Sequence, residues 1–205
     1  MNRNVLNAAC ASPPKTVPRP LLVLLSLWFA LAAAAQAGVT IHFEGTATSP
    51  EAVATILSTV EAVAKRRGWK VAGASQENGK LVRVIDEKDR DYEGRITGVV
   101  VRISEKCEPL YVQFGDDGFM QDFVKTQFAG PDVHIQIVEL LEAVRPCFQS
   151  LTVTDEGDYW TTHDRAGLEL HIAKINSALA DLKRENPNAK GPLRLKSGRI
   201  LDLVQ

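Results

Sequence analysis

Val39–Thr46 (VTIHFEGT), followed by Ser49–Gly68 (SPEAVATILSTVEAVAKRRG), sets the fold class. In the first stretch Val39, Ile41 and Phe43 alternate with Thr40, His42 and Glu44, the period-two pattern of a strand buried on one face. In the second, Ser49 and Pro50 supply an N-cap and a first helical residue. Val53, Ile56, Leu57, Val60 and Val63 or Ala64 then recur at helical spacing until Arg67-Gly68. A half-buried strand leading into an amphipathic helix calls for a sheet with helices packed against it.

The same two patterns continue outward. Trp69–Ala74 and Lys80–Asp86 read as strands separated by Gln76–Gly79, with Asn78-Gly79 as the hairpin signal. Arg95–Ser104, Leu110–Phe114 and Phe119–Phe128 follow, the last two joined across Gly115–Gly118. Pro131 opens a second helix with a stripe of Val133, Ile137, Leu140, Leu141 and Val144, ending at Arg145-Pro146. Leu151–Thr154 is a short strand, and Asp164–Glu185 a third helix striped by Leu168, Ile172, Ile175, Leu179 and Leu182. The order predicts an α+β domain, a mostly antiparallel sheet of about six or seven strands with two or three helices on one face. It fits an elaborated split β-α-β layout.

With 24 Lys+Arg against 25 Asp+Glu and 45% hydrophobic residues, the 205-residue chain is neither low-complexity nor disordered as a whole. A formal charge of -1 provides no field to attract nucleic acid, so no nucleic-acid partner is expected. The charge is uneven, however. Residues 1–37 carry Arg3, Lys15 and Arg19 and no acid, and contain Leu21–Ala35 (LLVLLSLWFALAAAA) followed by Ala35-Gln36-Ala37. A basic flank, a short apolar run and a small-x-small site are the pattern of a signal peptide. As a helix, the run would reach only about 22 Å, short of the roughly 30 Å hydrocarbon core, which argues against an uncleaved anchor.

The expected organisation is therefore a signal peptide over 1–37 and a single globular domain over 38–186. A basic tail or short terminal hairpin follows over 187–205. Cleavage near Ala37 makes the chain periplasmic or secreted. No other apolar run approaches eighteen residues, so no transmembrane segment is expected in the mature chain.

Only Cys107 and Cys147 remain after such cleavage. In an oxidising compartment they predict a bridge closing 41 residues. It would contribute about 4 kcal/mol on a chain-entropy argument. The alternative is two free, buried thiols behaving as small hydrophobes.

Asp155–Asp164 (DEGDYWTTHD) is the densest group of reactive side chains. Asp155, Glu156, Asp158, Trp160 and His163 form the candidate ligand or partner site. Its carboxylates could bind a divalent cation or orient His163 as a base. The calcium-loop spacing is missing, and so are H-E-x-x-H and H-x-x-x-H pairs, so neither a metal nor a cofactor is expected. The competing reading is a solvated turn in which Asp164 or Thr161 caps the third helix and Trp160 anchors the loop. His134, just after Gly130-Pro131, could hold an anion with Lys125 at a helix N-terminus, but a packed or capping histidine is favoured. Lys190, Arg194, Lys196 and Arg199 make a candidate basic contact for anionic headgroups, envelope polymers or an acidic partner.

There is no G-x-S-x-G, no phosphate-binding loop and no C-x-x-C. The expectation is an exported, non-enzymatic domain that binds a partner protein or envelope component. The alternative is a small exported hydrolase using the Asp155–Asp164 loop. Convergence of Asp158, Trp160 and His163 with Cys107, Lys125 or His134 would favour the enzyme, and divergence the binding domain.

Overall fold

A computed structural model describes residues 38–204. The expected signal peptide lies outside the described residues. The architecture is α+β with antiparallel sheets. Strand β1 (Thr40–Ala47) sits between β8 (Phe119–Lys125) and β9 (Phe148–Asp155). Helix α1 (Pro50–Arg67) follows β1, and Ser49 caps it by accepting from the Ala52 N–H at 3.2 Å. Gly68 ends it in the left-handed conformation, φ 71°.

The segment from Lys70 to Arg102 is one long hairpin. Strands β2 (Lys70–Gly73) and β3 (Gln76–Leu81) run in tandem along β6 (Tyr92–Arg102) with a bulge between Gln76 and Gly79. The pairing continues through β4 (Val84–Ile85) and β5 (Lys88–Asp89) to a two-residue turn at Asp86-Glu87. This corrects the expected turn at Asn78-Gly79. A tight hairpin turn of this type needs positive φ at both central residues. Asp86 and Glu87 have it (51° and 60°), whereas neither Asn78 nor Gly79 does. Gly79 serves close approach instead, because a Cβ there would lie 2.3 Å from Ile96 Cδ1.

The other edge of β6 pairs with β7 (Leu110–Phe114). Strand β7 turns through Gly115–Gly118 into β8, closed by the Gly115 N–H on the Phe119 carbonyl (3.3 Å). The long hairpin and β7 form one sheet, and the turn hands the chain on to the separate three-stranded sheet β8-β1-β9. Helix α2 (Pro131–Val144) packs beside α1. Together they cover Ile41, Phe43, Val99, Val101, Leu110, Val112, Phe114 and Val124, forming the main core with Ile56, Val60, Ile137 and Leu141. A 3-10 turn (Arg145–Cys147), β9 and the short helix α3 (Tyr159–Thr162) lead to α4 (Arg165–Glu185). Only Leu168 and Ile172 of its stripe are buried, in a second small cluster with Val39. Ile175, Leu179 and Leu182 stay half-buried. The chain ends in a hairpin of β10 (Leu193–Arg194) and β11 (Ile200–Leu201). No helix among the described residues is long and apolar enough to cross a membrane.

The expected Cys107–Cys147 bridge is not present, and both cysteines are free. The topology explains this. The Cys107 thiol lies 3.6 Å from the Lys125 carbonyl, beside Thr40 at the start of β1. Cys147 lies at the other end, its carbonyl accepting from the Thr48 N–H at 2.9 Å. An eight-residue strand separates them by roughly 25 Å, whereas a bridge needs Cα atoms within about 7 Å.

Two outcomes follow from this arrangement. Thiol labelling of the denatured protein without reductant should modify both Cys107 and Cys147, and protection of the pair would contradict the topology. Gly45→Ala should lower the urea-unfolding free energy by about 1–3 kcal/mol, because its Cβ would lie 2.5 Å from the Ser150 carbonyl of β9.

Candidate binding groove

The face of the β8-β1-β9 sheet away from the helices carries an open groove of about 570 Å³. Strand alternation builds its floor. His42 and Glu44 of β1 face the same side as Gln121 and Phe123 of β8 and Thr152 and Thr154 of β9, their direct cross-strand partners. Val82, Val84 and Arg199 of the terminal hairpin complete its lining.

The valine wall is held over the sheet by its polar neighbours. Arg83 is buried, with its guanidinium 4.7 Å from the Tyr92 ring centroid and 5.1 Å from that of Phe119. It donates to Asp117 at 2.6 and 3.2 Å and to the Phe119 carbonyl at 2.8 Å. The Val84 N–H donates to the Gln121 amide oxygen, and Gln121 donates back to the Val84 carbonyl, both at 2.7 Å. Arg83 is turned inward, while Val82 and Val84 on either side of it are 72% and 50% exposed. Phe123 is also exposed, 5.6 Å from the His42 ring.

The terminal basic residues divide between contacts within the chain and solvent. Arg199 pairs with Asp122 and with the buried Glu108 (3.2 Å), donates to the Phe123 carbonyl, and stacks 3.9 Å from the Phe123 ring. Glu108 also accepts the Ile200 N–H at 2.7 Å, so a buried carboxylate fastens the hairpin. Burial holds the Asp122 carboxyl above its ordinary value despite Arg199. Arg194 donates to the Glu105 and Cys107 carbonyls. Of the candidate basic contact, Arg194 and Arg199 are therefore engaged within the chain, whereas Lys196 is exposed and Lys190 forms an isolated bridge with Val204.

The Asp155–Asp164 loop does not gather into a site. Asp155 is sealed against α2, 3.0 Å from His134 Nε2, and accepts from the Gly157 and Trp160 N–H groups at 2.7 and 2.8 Å. Burial pushes its carboxyl up, but the His134 hydrogen bond and charge and the backbone donors outweigh that and leave it below the usual range. On the other side of the ring, His134 Nδ1 is 2.8 Å from Thr126 Oγ1. The order hydroxyl–imidazole–carboxylate is that of a catalytic triad. Thr126 and His134 are fully buried, however, so no substrate reaches the hydroxyl.

The remaining loop residues diverge. Glu156 accepts the Thr40 N–H at 2.9 Å and lies 3.7 Å from His42. Asp158 is an exposed turn residue, φ 58°. Trp160 is half-buried, 5.8 Å from the Arg145 guanidinium, and the exposed His163 meets Glu142 at 2.9 Å. Asp164 caps α4 through the Ala166 N–H. Cys107 lies elsewhere, its thiol pushed up to about 12 by burial and then by the neighbouring Glu108 charge. Among the described residues no group of three or more His, Cys, Asp or Glu side chains could hold a metal ion.

Sequence reading singled out neither Thr126 nor the groove. His134 carried a usable signal, since it falls on the buried side of α2 with Ile137, Val138 and Leu141. A buried histidine needs polar partners on both nitrogens. Comparison with protein-family models, curated proteins and solved structures finds no match for this chain.

The lowered Asp155 carboxyl sets a pH dependence. Its contribution to stability is present above the unfolded-state pKa of about 3.9 and is lost as pH falls through the lower folded value. Acid titration followed by tryptophan fluorescence should show this loss below about pH 4. In Asp155→Asn that part of the acid dependence should vanish. The variant should also lose about 3–5 kcal/mol at neutral pH, because the buried pair is broken.

Proposed function

We propose that this chain is an exported, non-enzymatic binding domain whose groove on the β8-β1-β9 sheet takes an extended, apolar segment of a partner protein. The observation that carries the reading is the placement of Val82 and Val84. A hairpin anchored by Arg83 presents two apolar side chains to solvent in the same open groove as Phe123. Burying them against a ligand recovers free energy that folding leaves unused. The floor of threonines, His42 and Glu44 offers hydrogen-bonding partners to a polypeptide, and Asp122 and Arg199 beside it neutralise each other. Export is supported by the sequence pattern of residues 1–37. The hydrolase reading has less support, because the triad-like side chains are sealed and Asp158, Trp160 and His163 diverge.

A displayed random-peptide library panned on the protein tests this reading. Enriched peptides should share bulky apolar residues and bind Val84→Asp at least about tenfold more weakly, the loss of one well-buried contact. Val82→Asp should behave similarly. Both side chains are exposed, so the thermal unfolding temperatures should remain unchanged. Peptides that bind both variants as tightly as the parent would place the ligand elsewhere and overturn the reading.

A further inference from the structure

We propose that β9 is the dimerisation edge of this protein, where a second copy adds its own β9 antiparallel and extends the three-stranded sheet to six strands. The inference is independent of the groove's ligand. It begins with the hydrogen-bond phase of β9. The Glu156 N–H donates to the Thr40 carbonyl at 3.0 Å, so residues 156 and 40 are a hydrogen-bonded pair. In an antiparallel ladder such pairs alternate with non-hydrogen-bonded ones. The pairs His42–Thr154, Glu44–Thr152 and Thr46–Ser150 therefore direct their backbone groups into the ladder. The N–H and C=O groups of Gln149, Leu151 and Val153 point the other way. Among the described residues no strand pairs with that edge, and none of these six groups has a hydrogen-bond partner.

The free groups are symmetric about Leu151, which makes the edge self-complementary. Placing a two-fold axis at Leu151 sets it opposite Leu151 of the second copy, and Gln149 opposite its Val153 equivalent. Each residue then makes both of its bonds, and all six donors and acceptors are satisfied across an isologous interface. On the outer face the same register puts Ser150 opposite Thr152, a pairing that favours side-chain hydrogen bonds.

The composition of the edge agrees. Gln149–Thr154 (QSLTVT) contains no charge and no proline, the features that normally discourage edge-to-edge pairing. Nor would like charges meet across the axis. Leu151 and Val153 are only half-buried, so an added strand would cover apolar surface as well. The long hairpin shows the contrast. Its outer strand is broken by a bulge at Gln76–Gly79 and carries Lys70, Glu77 and Lys80, so it is guarded where β9 is not.

Sedimentation of the purified protein tests the interface. The parent should sediment with twice the chain mass at high concentration and dissociate on dilution. Thr152→Lys and, separately, Ser150→Lys should each restore the single-chain mass, because a lysine is added on each side of the axis. Both side chains are exposed, and an unchanged far-ultraviolet circular dichroism spectrum in either variant shows that the fold is intact. A parent that stays monomeric up to its solubility limit would overturn the proposal. So would a dimer that persists in the folded lysine variants. Ser150 lies outside the groove lining, so the Ser150→Lys result does not bear on peptide capture by Val82 and Val84, and the two readings fail separately.

Discussion

The hydrogen bonds of His134 hold together the end of the molecule where four segments meet. The ring lies on α2, and its two nitrogens reach Thr126, just beyond β8, and Asp155, at the end of β9. Thr126 in turn bonds the Val39 carbonyl at the start of β1. One imidazole thus fixes both neighbours of the central strand relative to the helix covering them. A buried histidine and carboxylate are costly unless every polar atom is paired, and here the pairing extends to the Gly157 and Trp160 N–H groups. The first carboxylate of the most reactive-looking stretch of the chain is thus taken up in satisfying the histidine.

The same exchange recurs where charge would be expected at the surface. Arg83 is sandwiched between two aromatic rings, and Arg199 reaches Glu108 and Asp122. Each arginine turns inward to dock a hairpin, and both hairpins border the groove. In the first, Val82 and Val84, which flank the buried arginine, are left exposed. The apolar wall is therefore a geometric consequence of burying the guanidinium between them. A polar residue in the link between β3 and β4 decides which apolar residues remain available for a ligand.

Fold class was legible because it depends on local periodicity. The alternation through Val39–Phe43, the Ser49-Pro50 start of α1 and the α2 stripe at Ile137, Leu141 and Val144 all report which face is buried. Those signals survive folding because the core is built from them. The hairpin turn was not legible. Asn78-Gly79 carries the stronger local preference, yet the pairing of Lys70–Leu81 along β6 overrides it and forces Asp86 and Glu87 into positive φ. Tertiary pairing over many residues outweighs a preference of about 1–2 kcal/mol at one turn.

By itself, then, the sequence determined the α+β class, the principal helices, most of the core and the Gly115–Gly118 turn. Tertiary structure alone decided that Cys107 and Cys147 lie at opposite ends of β1 and that Asp155 seals a histidine. It also engaged Arg194 and Arg199 in hydrogen bonds within the chain and brought the sheet face and two hairpins into one groove. The physical reason is range. Periodicity and capping are written within a few residues, whereas a charge pair, a thiol separation or a groove depends on side chains that only strand order brings together.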